Sequence, residues 1–300
     1  MDSELRAFIA SLLAGAGAGA ICTTLCAPLD VAKVRTQVQG SVAPLKYKGM
    51  THTLTKIYYE EGLSGLYKGL GPALCTVPLF WGIYWTSYER LKVHYASEYP
   101  GSSSHVHHVG AAVTAGAIGD VITNPFWVVR TRIQTLILHT HSHLPASIGM
   151  VQMFKEIYHK EGVRAFYKGL SASFLGLTHV AVQFPLYEYL KKRCRDMRDG
   201  GDESAVEIVA VSMVAKLTAS LLTYPHEVVR SRLQDQRADQ AAGIVQTVRQ
   251  IVRQEGVMSL WSGLAFNMIR VVPATISTFL SYEYLTRALR EGDTPPRGRA

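Results

Sequence analysis

One signature occurs three times in this chain and limits its fold more than any other feature. Pro28-Leu-Asp30-Val-Ala-Lys33-Val-Arg35-Thr-Gln37 returns 97 residues later as Pro125-Phe-Trp127-Val-Val-Arg130-Thr-Arg132-Ile-Gln134. It returns again after a further 100 residues as Pro225-His-Glu227-Val-Val-Arg230-Ser-Arg232-Leu-Gln234. Each copy is followed by an acidic-Gly turn, which runs from Glu61-Gly62 to Gly69, from Glu161-Gly162 to Gly169 and from Glu255-Gly256 to Gly263. Each repeat then ends in Tyr-Glu, at Tyr88-Glu89, Tyr187-Glu188 and Tyr282-Glu283. Ordered signals at a period near one hundred residues mean one supersecondary unit used three times, a habit of membrane transporters. The spacing divides the chain into repeats at 1–100, 101–200 and 201–290, with a polar tail at 291–300.

Each repeat holds two long apolar segments. Ala7 to Leu29 is free of charge for 23 residues, enough as a helix to cross the roughly 30 Å hydrocarbon core of a bilayer. Further segments run over 70–88, 109–129, 170–187, 205–224 and 264–282. Only 18% of residues are charged, below the roughly 25% typical of soluble chains, so disorder is excluded. Asp120, Lys216 and Arg270 lie well inside predicted spans. Charge at that depth costs at least about 2.5 kcal/mol and belongs on a protein interior or a water-filled cavity. Six spans with interior charge therefore predict a transport path. The prolines Pro28, Pro125 and Pro225 are expected to kink three helices so that they converge and close one end of the bundle. The first apolar run is too long for a signal peptide and follows only one basic residue, Arg6, so the chain start reads as mature, with internal targeting.

Together these repeated signals resemble the mitochondrial carrier family (solute carrier family 25), from about residue 7 to 290. The resemblance implies an all-α membrane protein of six transmembrane helices. They form three pseudo-threefold repeats around a central cavity, with three short matrix-side helices, and expose substrate alternately to two aqueous faces. It implies a multi-pass protein of the mitochondrial inner membrane, with a plastid or peroxisomal membrane also open. It further implies a monomer contacting membrane lipid, cardiolipin above all, with no nucleic-acid partner. For the matrix gate it implies Asp30 paired with Arg130 and Lys33 with Glu227, braced by Gln37, Gln134 and Gln234. The third matrix pair is missing, because Trp127 stands where an acid should meet Arg230. For the cytoplasmic gate it implies Glu89 with Lys191 and Lys92 with Glu283, while Thr286 leaves Glu188 without its cation. A partly solvated ion pair is typically worth about 1 kcal/mol, which suits a contact that must form and break.

Helical phase nominates the cavity lining. Lys216 precedes Glu227 by about three turns and Asp120 precedes Trp127 by about two, so both share the ring-facing side of their helices. The resemblance, not the phase, makes Arg270 a substrate contact, and it places the other contacts at Thr76-Val77 and Gly176-Leu177. The runs Asn124 to Arg130, His179 to Glu188 and Tyr224 to Arg230 resemble the carriers for NAD, pyrimidine nucleotides and folate or FAD, and most of all the NAD carriers. The implied activity is NAD exchange against adenine nucleotides, with a pyrimidine nucleotide or folate/FAD carrier as the alternative. Lys216 and Arg270 suit a pyrophosphate, and Trp81, Tyr84 and Trp85 could stack on a base. Asp120 has no account at this level, since an acid in a polyanion path repels phosphate unless a cation answers it.

A function of another class, an NAD-dependent membrane enzyme, is suggested by the GxGxxA pattern from Gly15 to Ala20. The strand, βαβ unit and distant acid that such a site needs are not evident, and small residues at this spacing let membrane helices approach closely. The four cysteines form no CxxC pair, and His139, His141 and His143 read as a solvated loop. No metal or cofactor is implied.

Overall fold

A computed structural model of the chain describes residues 3–41, 46–99, 101, 104–139, 145, 148–197, 205–235 and 243–291. Its described residues are helical throughout, without a strand. The first repeat is α1 (Ser3–Val38), α2 (Met50–Leu66) and α3 (Leu70–Glu98). The second is α4 (Ser104–Thr135), α5 (Met150–Glu161), α6 (Leu170–Gly176) and α7 (Thr178–Asp196). The third is α8 (Ala205–Thr223), α9 (Pro225–Gln234), α10 (Ile244–Glu255) and α11 (Leu264–Glu291).

The long helices pair lengthwise, α1 with α11, α3 with α4 and α7 with α8, so each repeat packs against the next and the last closes on the first. Segments within 15–38, 106–138 and 257–278 are each long and apolar enough to cross a membrane, and α8 with α9 forms a fourth, bent by 56°. The two remaining long elements, α3 and α6–α7, fall short of that hydropathy because the stretch of α3 without charge includes Pro72, Pro78, Trp81, Tyr84 and Trp85, and that of α6–α7 includes His179 and Gln183. The expected fourth span is not one helix, since it breaks at Leu177. The fifth breaks at Tyr224, with Pro225 in the first turn of α9, where its missing N–H costs nothing. Pro28 and Pro125 lie inside continuous helices. Leu25, Ile122, Leu222 and Leu280 are exposed on the long helices. That is a liability in water and the natural outer surface of a bilayer-embedded bundle.

The packed core lies at one end, where α2, α5 and α10 cross beneath the long helices. There are three apolar clusters, one per repeat, and the first is typical: Val31, Val38 and Ile57 are sealed by Leu138 and Phe266 from the neighbouring repeats. The repeated glycines have a backbone reason. Gly62 kinks α2 at φ 70°, Gly162 and Gly256 turn the chain after α5 and α10 at 76° and 86°, and Gly69, Gly169 and Gly263 precede the next long element at 77°, 77° and 83°. Left-handed φ is open to glycine and costs other residues about 1–2 kcal/mol.

Candidate functional site

At the short-helix end, α1, α4 and α9 bring their charged residues into one ring. Arg130 Nη2 donates to Asp30 Oδ2 at 2.9 Å. Lys33 pairs with Glu227, donates to Asn267 Oδ1 at 2.9 Å and lies 5.6 Å from the centre of the Tyr224 ring. Trp127 is not a gap in this ring, because its indole is approached by two guanidinium groups, with Arg130 at 5.3 Å and Arg230 at 5.4 Å from the ring centre. Nor does Arg230 lack a carboxylate. Asp120, buried on α4, brings Oδ1 to 3.9 Å from Arg230 Nη2. The consensus position holds no acid, but an acid two turns earlier faces the same cation.

Arg270 has a partner that the sequence did not indicate. Its Nε is 2.9 Å from Asp30 Oδ1 without hydrogen-bond alignment, so Asp30 stands between Arg130 and Arg270 and joins α4, α1 and α11. Buried N–H groups without a hydrogen-bond partner among the described residues remain on Arg130 (Nε), Arg230 (Nη2) and Arg270 (Nε). Unpaired buried donors of charged groups are expensive. Each such group in a folded protein calls for a structural or functional reason.

Below the ring runs a second set of contacts, which the repeated signature contains but its pairing logic does not announce. The next basic residue of each signature reaches the glutamate of its own acidic-Gly turn, pairing Arg35 with Glu61, Arg132 with Glu161 and Arg232 with Glu255. The same three arginines donate through Nε to a backbone carbonyl of the neighbouring repeat. Arg35 reaches Gln134 O at 2.9 Å, Arg132 reaches Gln234 O at 3.2 Å and Arg232 reaches Gln37 O at 2.9 Å. Lys68 and Lys168 add bonds to Glu61 and Glu161 at 2.7 Å, while Ser262 takes the equivalent place in the third repeat. Burial alone would raise the Glu161 carboxyl, but the hydrogen bonds and charges of Arg132 and Lys168 outweigh it and hold the group down at about 2.

The glutamines bond across repeats at the same level. Gln37 accepts from Ser231 at 2.7 Å and donates to Tyr224 at 3.0 Å, and Gln234 accepts from Thr131 at 2.9 Å. Gln134, also buried, offers its backbone carbonyl to Arg35 and lies against Gly69. His139 is not solvated, since it bonds Asp235 at 2.9 Å across repeats; His141 and His143 lie outside the described residues.

The proposed substrate contacts do not all converge. Thr76 is fully buried and its hydroxyl donates to Pro72 O within α3, and Val77 beside it is half-buried. Gly176 and Leu177 form the break between α6 and α7, and the space that the missing Gly176 side chain leaves is filled by His226: a Cβ there would stand 2.7 Å from its Nε2. Leu177 abuts Gly116 on α4. Tyr84 stacks between Phe80 and Tyr88 on the side of α3 that meets α4, as the Gly119–Phe80 approach and the 2.7 Å Tyr88–His108 bond show. Trp81 and Trp85 stack on one another and are exposed, as is Lys216 on α8. The phase that ties Lys216 to Glu227 crosses the 56° bend.

At the opposite end Lys92 has a partner on its own helix. Lys92 bonds Glu89, one turn away on its own helix, at 2.7 Å, so neither residue spans to another repeat through this contact. The Glu283 side chain lies outside the described residues. Glu188 is exposed, and Lys191 lies 6.0 Å from the centre of the Tyr187 ring.

The family model described as mitochondrial carrier protein matches the chain three times, at residues 5–99, 101–198 and 201–293. Nicotinamide adenine dinucleotide transporter 2, mitochondrial, of Arabidopsis thaliana is 37% identical over 96% of this chain and 82% of its own length. Mitochondrial nicotinamide adenine dinucleotide transporter 1 of Saccharomyces cerevisiae is 36% identical over 94% of this chain and 78% of its own. Folate transporter 1, chloroplastic, of Arabidopsis thaliana is 34% identical over 94% and 96% respectively.

Proposed function

Because the chain belongs to the mitochondrial carrier family, we propose that it carries NAD across an organelle inner membrane, that of the mitochondrion, in exchange for an adenine nucleotide. The observation that carries this reading is the convergence of Arg130, Arg230 and Arg270, each with an unpaired buried N–H, around Trp127 and Asp30. Guanidinium groups match phosphate oxygens in shape and charge, and an indole offers a face to a base. The relatives named as NAD transporters support the choice of nucleotide. In this reading Arg270 and Lys216 hold the phosphates. The ring of Asp30, Lys33, Arg130, Glu227 and Arg230 is the matrix gate, closed here, and Glu89, Lys92, Glu188, Lys191 and Glu283 serve the cytoplasmic gate. That Lys92 is engaged by its own helix supports a conformation open on that side.

Purified protein in liposomes, tested with labelled NAD, FAD, folate and pyrimidine nucleotides against internal adenine nucleotide, separates the candidates. NAD uptake that depends on the internal nucleotide is the expected result. A preference for folate or a pyrimidine nucleotide would reassign the substrate, and no uptake of any would sink the reading.

A further inference from the structure

We propose that Asp120 is the third anion of the gate, moved two turns along α4 so that an aromatic spacer can take its customary place. Asp120 is buried, and its carboxylate is 3.9 Å from Arg230 Nη2, a donor with no hydrogen bond among the described residues. An isolated buried carboxylate is costly and persists where a cation answers it. Trp127 stands at that customary place, with the guanidinium groups of both Arg130 and Arg230 within cation–π reach of its ring, at 5.3 Å and 5.4 Å. The gate thus has three carboxylates, Asp30, Glu227 and Asp120, for its cations, and each joins a different pair of elements. The Asp30–Arg130 pair joins α1 to α4, the Lys33–Glu227 pair joins α1 to α9, and the Asp120–Arg230 pair joins α4 to α9. Without Asp120 the α4–α9 side of the triangle would have no ion pair. At 3.9 Å the contact is too long for a hydrogen bond, so this is the loosest side and the one positioned to part first.

The inference rests on reading the ring as a gate, and the test separates the two. Asp120→Asn, Arg230→Gln and the double variant are made in the full chain, and their melting temperatures in detergent form a double-mutant cycle that needs no transport. Pairing predicts that the double variant melts close to either single one. It also predicts that Trp127→Asp, which puts a carboxylate in the ring, restores the melting temperature and exchange rate of Asp120→Asn. Asp120→Glu should behave as wild type. In liposomes Asp120→Asn should change maximal exchange about fivefold or less, as for one partly screened pair, with affinity for NAD little altered. Additive melting shifts, or a Trp127→Asp change that rescues nothing while wild type exchanges normally, would overturn the assignment. Wild-type protein that exchanges no nucleotide would instead sink the carrier reading, a failure visible before any variant is made.

Discussion

Replacing Arg270 with alanine separates the two parts this residue is placed to play. Its side chain is 38% exposed, and Nε lies 2.9 Å from Asp30 Oδ1, while the other oxygen of Asp30 accepts from Arg130. Alanine therefore removes a ring neighbour without leaving Asp30 unpaired, which limits the gate effect to about 1 kcal/mol, or roughly fivefold in maximal rate. If Arg270 also holds a substrate phosphate, losing that charged hydrogen bond costs about 1.5–3 kcal/mol, a ten- to 150-fold weaker apparent affinity. Arg270→Lys keeps the charge but not the planar fork and should fall between. The assay is initial exchange in liposomes over a range of external NAD, with equal protein and melting temperature checked for each variant. An apparent affinity that falls less than about threefold, with only the maximal rate altered, would show Arg270 to be a brace for Asp30 and no part of the substrate site.

Two further outcomes follow from the short-helix end. Gly169 has φ 77°, and a Cβ there would lie 2.9 Å from Gln234 Cγ and 3.1 Å from Arg230 O, so Gly169→Ala should lower the melting temperature by several degrees. Gly82→Ala, in open space within α3, should not lower it, and equal losses in the two variants would refute the close-approach argument. Glu161 is held at about 2, well below its unfolded value of 4.5, so its ion pairs stabilise the fold fully above pH 4.5 and progressively less as pH falls towards 2. The gap in melting temperature between wild type and Glu161→Gln should therefore narrow over that window. A gap that stays constant down to pH 2.5 would mean that Glu161 is not the charged partner of Arg132.

The architecture was legible because proline, charge and glycine recur at a fixed period, and each has a backbone or bilayer reason to be where it is. Two gate pairs were legible through the family resemblance that these recurring signals carry. Asp120–Arg230 was only half legible: helical phase put Asp120 on the ring-facing side two turns before Trp127, but the sequence did not say that its carboxylate answers Arg230. The Arg270–Asp30 contact was not legible either, because it arises where α1 meets α11, which are far apart in sequence. The filling of Gly176 by His226 brings together residues fifty apart in sequence, beside the breaks at Leu177 and Tyr224, a contact that neither hydropathy nor the repeat spacing indicates. The role of Arg35, Arg132 and Arg232 was spelled out three times, yet a pattern cannot say that one guanidinium serves a glutamate of its own repeat and a carbonyl of the next.

Those three donations run in one rotational sense, from Arg35 to Gln134, Arg132 to Gln234 and Arg232 to Gln37, and the last returns to the start. The ring consequently has no seam. The joint between the third repeat and the first, which no peptide connects directly, is made of the same bonds as the two joints that are continuous in the chain. Chain order is thus immaterial to the closed ring, and a circularly permuted gene that began at the second or third repeat would encode the same three joints. It also means that a joint that parts strains the other two, so the three sides of the closed end are mechanically coupled.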